Sequence, residues 1–176
     1  DAGSNSGDAG EIWHLLDARF GIPVTLIPAS RFSATDLNRY NVIIITGSPD
    51  IGQAGVENLR AWNRRGNTII GYETGNNWLA RNKLAEIEFV PETADKRKEG
   101  IYTNRANDRQ ARQIPGSIFQ VRLDLTHPLC FGYTRPLLPV FKSTTSVAVM
   151  DQDIYSNPAV YTSDPLLSGY CTPNNI

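Results

Sequence analysis

Asn67-Thr68-Ile69-Ile70-Gly71-Tyr72-Glu73-Thr74-Gly75-Asn76-Asn77-Trp78-Leu79 is the stretch on which the fold of this chain turns. Thr68 to Tyr72 is an apolar run that meets a glycine-flanked corner, and a helix is expected from about Asn76. A strand leading directly into a helix lifts the corner residue to the carboxyl edge of the sheet. Open α/β sheets gather ligands and catalytic groups at that edge. Gly71 and Gly75 stand two residues to either side of Glu73. That is the spacing of a nucleophile elbow, whose glycines leave room for a strained central residue. The central residue here is a glutamate, neither Ser nor Cys.

Upstream, Val42-Ile43-Ile44-Ile45-Thr46 is a run of β-branched residues, the pattern of a strand covered on both faces. It breaks into the turn-rich loop Gly47-Ser48-Pro49-Asp50-Ile51-Gly52. Val56, Leu59 and Trp62 then line one side of a helix that Gly66 ends. Nearer the start, Asp8-Ala9-Gly10-Glu11 has the form of a capping box, and Ile12, Leu15, Leu16 and Phe20 recur at helical spacing before Gly21. Pro23 to Ile27 reads as a short strand, and Ser33-Ala34-Thr35-Asp36 as a second capping box opening a short helix. Helices and strands alternating in this way predict a parallel sheet with helices on both faces.

Beyond Leu84 the character changes. Residues 85–113 are charged and weakly periodic, and are expected to form an exposed excursion with one short strand near Glu88 to Val90. Ile118 to Leu123 alternates as a strand should, and Thr126 to Leu129 reads as a turn. Pro139 to Phe141, Val147 to Met150 and Ala159 to Tyr161 are three further short strand candidates. The chain opens in a loop feeding a helix and closes on Ser168 to Ile176, which reads as the middle of an element. We therefore expect residues 1–176 to be a single domain of a larger protein, with its sheet incomplete at both ends.

Composition narrows the function classes. A net charge of -1 with both signs interspersed gives no electrostatic case for nucleic acid or an anionic membrane as partner. No run approaches the roughly 18 apolar residues of a spanning helix, so membrane insertion is not expected. Cys130 and Cys171 fit no zinc spacing, and a single bridge between them is compatible with the sequence.

Several blocks resemble a known family. Gly10-Glu11-Ile12-Trp13-His14-Leu15-Leu16-Asp17, Pro23-Val24-Thr25 and Leu37 to Ile44 form the first. Ile114 to Phe119, Thr126 to Tyr133 and Ser168-Gly169-Tyr170 follow in order. Together they resemble the C-terminal accessory domain of a group of bacterial zinc carboxypeptidases. The resemblance implies a flavodoxin-like α/β sandwich of the class I glutamine amidotransferase type. It also implies a catalytic carboxypeptidase domain as partner, zinc in that domain rather than here, and an extracellular or periplasmic location.

The residues of this chain leave little room for catalysis by either route. A zinc peptidase site needs two histidine ligands, a carboxylate and a glutamate base. The chain has only His14 and His127, neither in a His-x-x-Glu pattern, so no metal site is expected. Amidotransferase chemistry needs a thiolate at the elbow and a histidine to activate it. Glu73 cannot form a thioester, and His127-Pro128-Leu129 lacks the acid that would orient the imidazole. No catalytic residue is assigned. Glu73 reads as a charge favourable to a helix N-terminus, as an anchor for the Gly47 to Gly52 loop, or as part of a residual pocket with Thr74, Ser48 and Asn76. Three functions follow in that order: a non-catalytic accessory domain, a free-standing superfamily enzyme using Glu73 otherwise, or a small-ligand binding module.

Overall fold

A computed structural model describes residues 6–90 and 113–172. The fold is mixed α/β, with one small parallel sheet, one antiparallel sheet and no closed barrel among the described residues. It divides into two compact units, Asp1–Ile87 and Glu88–Ile176.

In the first unit the β-branched run forms β1 (Val42–Thr46) and the stretch before the corner forms β2 (Thr68–Tyr72). They pair in parallel from Val42 opposite Thr68 to Thr46 opposite Tyr72. The helix between them, α3 (Gly52–Asn63), supplies the crossover that parallel neighbours require. Its Val56, Leu59 and Trp62 pack with Ile43, Ile45, Trp78 and Leu79 in one buried cluster. Trp62 is fully buried, and its indole N–H is satisfied by the Leu37 carbonyl at 2.8 Å. Gly66 (φ 92°) stops the chain after α3 by donating to the Asn63 carbonyl.

The sheet is not covered on both faces as its apolar run predicts. Ile43 and Ile45 are buried, whereas Ile70 and Val42 stay 45% and 44% exposed. The expected strand at Pro23 to Ile27 is irregular coil. There the Val24 N–H donates to the Asp17 carboxylate instead of to a strand neighbour. α1 (Ser6–Trp13) continues as a π-helical stretch (His14–Arg19) and ends at Gly21 (φ 66°) as expected. Asp8 does not cap it, because the helix has already begun at Ser6. Likewise Asp36, not Ser33, is the cap of the short 3-10 turn Leu37–Arg39, accepting from the Asn38 N–H. A one-turn α2 (Ala29–Phe32) precedes it.

The second unit departs from the expected parallel arrangement. β3 (Ser117–Leu123) lies between β4 (Leu137–Lys142) and β5 (Ala159–Gly169), antiparallel to both. Ser117, Phe119, Val121 and Leu123 alternate inward, the period a half-buried strand demands. Phe119 meets Tyr161 edge-to-face with ring centroids 5.7 Å apart. Pro139 and Pro165 sit in β4 and β5, the outer strands, where a residue with no N–H is tolerated. The candidates near Glu88 to Val90 and Val147 to Met150 reduce to an isolated bridge between Phe89 and Ala148. Most of the charged excursion, residues 91–112, lies outside the described residues.

Candidate functional site

The corner after β2 has the backbone of an elbow. Glu73 adopts φ 46°, ψ -115°, outside the left-handed well that non-glycine residues sometimes occupy. Such a conformation costs of order 1–3 kcal/mol and persists only where its surroundings impose it. α4 (Thr74–Arg81) starts at the next residue, two positions earlier than the sequence predicts. The Asn76 N–H donates to the Glu73 carbonyl at 3.2 Å.

The flanking glycines are required by contact, not by spacing alone. A Cβ on Gly75 would strike the backbone carbonyl of Ile45. One on Gly71 would strike the Asn76 amide oxygen and come within 2.9 Å of Leu79 Cδ1. Helix α4 therefore leaves the corner pressed against both strands, and a side chain at either glycine would force it away.

Glu73, Thr74 and Asn76 share this corner, and Glu73 and Thr74 are exposed. Ser48, on the loop after β1, is engaged elsewhere. Its hydroxyl accepts from Arg81 Nη2 at 2.8 Å, and the Arg81 Nε donates back to the Asn77 carbonyl. A shallow cleft of about 190 Å³ lies between the Pro49 to Gln53 loop and Val56, Trp78 and Asn82. None of the four expected pocket residues lines it, and it is smaller than the roughly 300–1,000 Å³ usual for ligand pockets.

The last residue of β2, Tyr72, is held away from its ordinary ionisation. Burial pushes the Tyr72 hydroxyl above its ordinary pKa, and the charges of Glu11, Glu73 and Asp8 push it the same way. Asp8 is 8% exposed, and its Oδ2 has no hydrogen-bond partner. No known protein family, curated protein or solved structure matches the chain.

The sequence points to Glu73 but not to Tyr72, nor to Glu11 and Asp8, whose charges act on it. Tyr72 reads there as one more apolar strand residue. Asp8 and Glu11 read as capping groups, and only the helix start at Ser6 frees them from that role.

In the second unit His127 is fully committed. Its Nδ1 accepts from the Leu129 N–H at 3.1 Å, which puts the proton on Nε2, and Nε2 then donates to the Tyr155 carbonyl at 2.9 Å. The imidazole thus pins two loops together. Cys130 is 4% exposed among Val121 and Leu123, with its thiol toward the Pro158 carbonyl. Both cysteines are free. Among the described residues no three His, Cys, Asp or Glu side chains are grouped to hold a metal ion, and no helix is long and apolar enough to cross a membrane.

Proposed function

We propose that this chain is a non-catalytic accessory domain: an amidotransferase-like, flavodoxin-type α/β domain in which a glutamate occupies the nucleophile position. Its partner on this reading is the catalytic domain of an exported zinc carboxypeptidase. The zinc belongs to that partner domain. The accessory domain packs against the peptidase or extends its substrate surface.

The observation that carries the non-catalytic part is the strained corner with Glu73 at its apex. The backbone that would present a nucleophile is kept while the nucleophile is absent, as expected when a fold outlives its chemistry. His127 supports the same reading, since both ring nitrogens are spent on holding loops. Cys130, buried and apolar in its contacts, supports it too. The order of the sequence blocks is the support for the carboxypeptidase partner.

The test is zinc content together with peptidase and glutaminase assays on residues 1–176 and on the full-length gene product. Zinc and carboxypeptidase activity in the longer protein only is the expected result, with Glu73→Gln leaving that activity unchanged. Turnover of glutamine or peptide by residues 1–176 alone overturns the proposal.

A further inference from the structure

We propose that the Asp164–Pro165 peptide bond is a self-cleavage site, at which the Asp164 carboxylate attacks its own main-chain carbonyl while the Thr162 hydroxyl donates to that carbonyl oxygen. The site holds whether or not the domain serves a peptidase.

The sequence singles out the bond. Of the eleven prolines only Pro165 follows an aspartate. An aspartyl–prolyl link is the peptide bond most easily broken in mild acid. Its carboxylate can close a five-membered ring on the adjacent carbonyl carbon, an intramolecular attack that needs no encounter. The proline nitrogen takes a proton more readily than an ordinary amide nitrogen, which makes it the better leaving group.

The fold adds three things to that intrinsic weakness. The first is placement. β5 runs from Tyr161 to Leu166 while β3, opposite, runs only from Val121 to Phe119. Thr162 to Pro165 therefore bulge from the ladder, and Pro165 has no N–H with which to rejoin it. The second is a free nucleophile. Asp17, Asp36, Asp50, Asp124, Asp151 and Asp153 each accept from a backbone N–H. Asp164 is exposed, and its carboxylate takes no hydrogen bond or ion pair among the described residues. The third is an aimed donor. Thr162 Oγ1 lies 3.2 Å from the Asp164 carbonyl oxygen and 3.4 Å from that of Gln120, so its single proton has its shorter contact at the bond in question. As attack turns the Asp164 oxygen into an oxyanion, that contact strengthens where it is most useful.

The chemistry consumes one water and no oxidant. A carboxylate oxygen of Asp164 bonds to its main-chain carbonyl carbon, the bond from that carbon to the Pro165 nitrogen breaks, and the nitrogen takes a proton from solvent. A cyclic anhydride remains on Asp164. Water opens it, leaving Asp164 with two carboxyl groups and Pro165 with a secondary amine. The nicked strand stays seated, because Pro165 is buried, Leu166 and Gly169 still pair with Phe119 and Ser117, and Ser117 Oγ donates to the Tyr170 carbonyl at 2.9 Å.

Intact-mass spectrometry and N-terminal sequencing of the full-length gene product test this, after incubation at the lowest pH that leaves its near-ultraviolet circular dichroism native. Two fragments are expected, together one water heavier than the parent, the second beginning at Pro165. The folded protein should cleave about tenfold or more faster than the same chain in urea at that pH, and Thr162→Val should remove the advantage without changing the rate in urea. Thr162→Ser, which keeps the hydroxyl, should restore it. Should Thr162→Val fail to fold, the comparison of folded and urea-unfolded wild type still decides. Equal rates in the two states would reduce the bond to its intrinsic lability and overturn the proposal. An intact bond in the folded protein, an unaffected Thr162→Val, or cleavage that persists in Asp164→Ala would each overturn it as well.

Discussion

Among the described residues each unit buries one acidic or basic side chain to nearly the same depth, Asp8 at 8% exposure and Lys142 at 7%, with opposite outcomes. Lys142 has replaced its lost water. Its Nζ donates to the Ser146 carbonyl at 2.8 Å and lies 5.6 Å above the centre of the Tyr161 ring. Asp8 has an oxygen with nothing on it. Burial depth therefore says little about role. What separates the two is whether the side chain's own bonding is completed within the fold.

The heaviest blow to this contrast is Gly75→Ala. Its methyl group meets the Ile45 backbone carbonyl, which cannot swing aside as a side chain would. We expect a loss of roughly 3–5 kcal/mol in urea unfolding, the upper range for a single substitution. A loss below about 1 kcal/mol would mean that the corner is not tightly closed.

Lys142→Ala comes next, at about 2–3 kcal/mol, because it leaves the Ser146 carbonyl unpaired and uncovers the Tyr161 ring. Lys142→Met keeps the packing without the charge, and should match or exceed wild type at pH 7. Burial holds the Lys142 amine below its ordinary value of 10.5, while Cys171 pulls it back upward. A base depressed in this way is penalised while protonated in the fold. The penalty is fully present below the folded pKa and disappears as pH rises to the unfolded value. Any stability advantage of Lys142→Met should therefore shrink between neutral pH and 10.5. An advantage that grows with pH would invert the assignment.

Glu73→Gly is a gain rather than a loss. Glycine accepts φ 46° without strain, so the variant should unfold about 1 kcal/mol later than wild type. A fall in stability instead would show that the Glu73 side chain holds the corner together. Asp8→Asn is the smallest effect, within about 1 kcal/mol, as relief of a buried charge is set against loss of a favourable first-turn acid. Were Asp8 a structural residue like Lys142, its loss would instead rival that of Lys142→Ala.

What could be read from the sequence divides along the range of the forces involved. The runs Val42 to Thr46 and Thr68 to Tyr72, the helix through Trp62 and the glycine-framed corner are specified by neighbours within a few residues. They appear where the pattern puts them. Pro23 to Ile27 has strand-like composition, yet the Asp17 carboxylate takes the Val24 N–H that a strand would have offered to a partner. The direction of β4 and β5 depends on pairing with β3 across long loops, and no local pattern records it. The charges that raise the Tyr72 hydroxyl were hidden for a similar reason. Asp8 and Glu11 are separated from Tyr72 by some sixty residues, and only the fold brings their charges to bear on it.

The outer prolines of the antiparallel sheet have a consequence for self-association. Pro139 on β4 and Pro165 on β5 each remove an N–H from a border strand, so another chain would find an interrupted template there. β1 and β2 carry no such interruption; Val-Ile-Ile-Ile-Thr and Thr-Ile-Ile-Gly-Tyr run without a proline or a charge. If this protein is pushed toward fibrils, the growing segment should come from the parallel pair, and protease-resistant cores should map to residues 42–46 and 68–72.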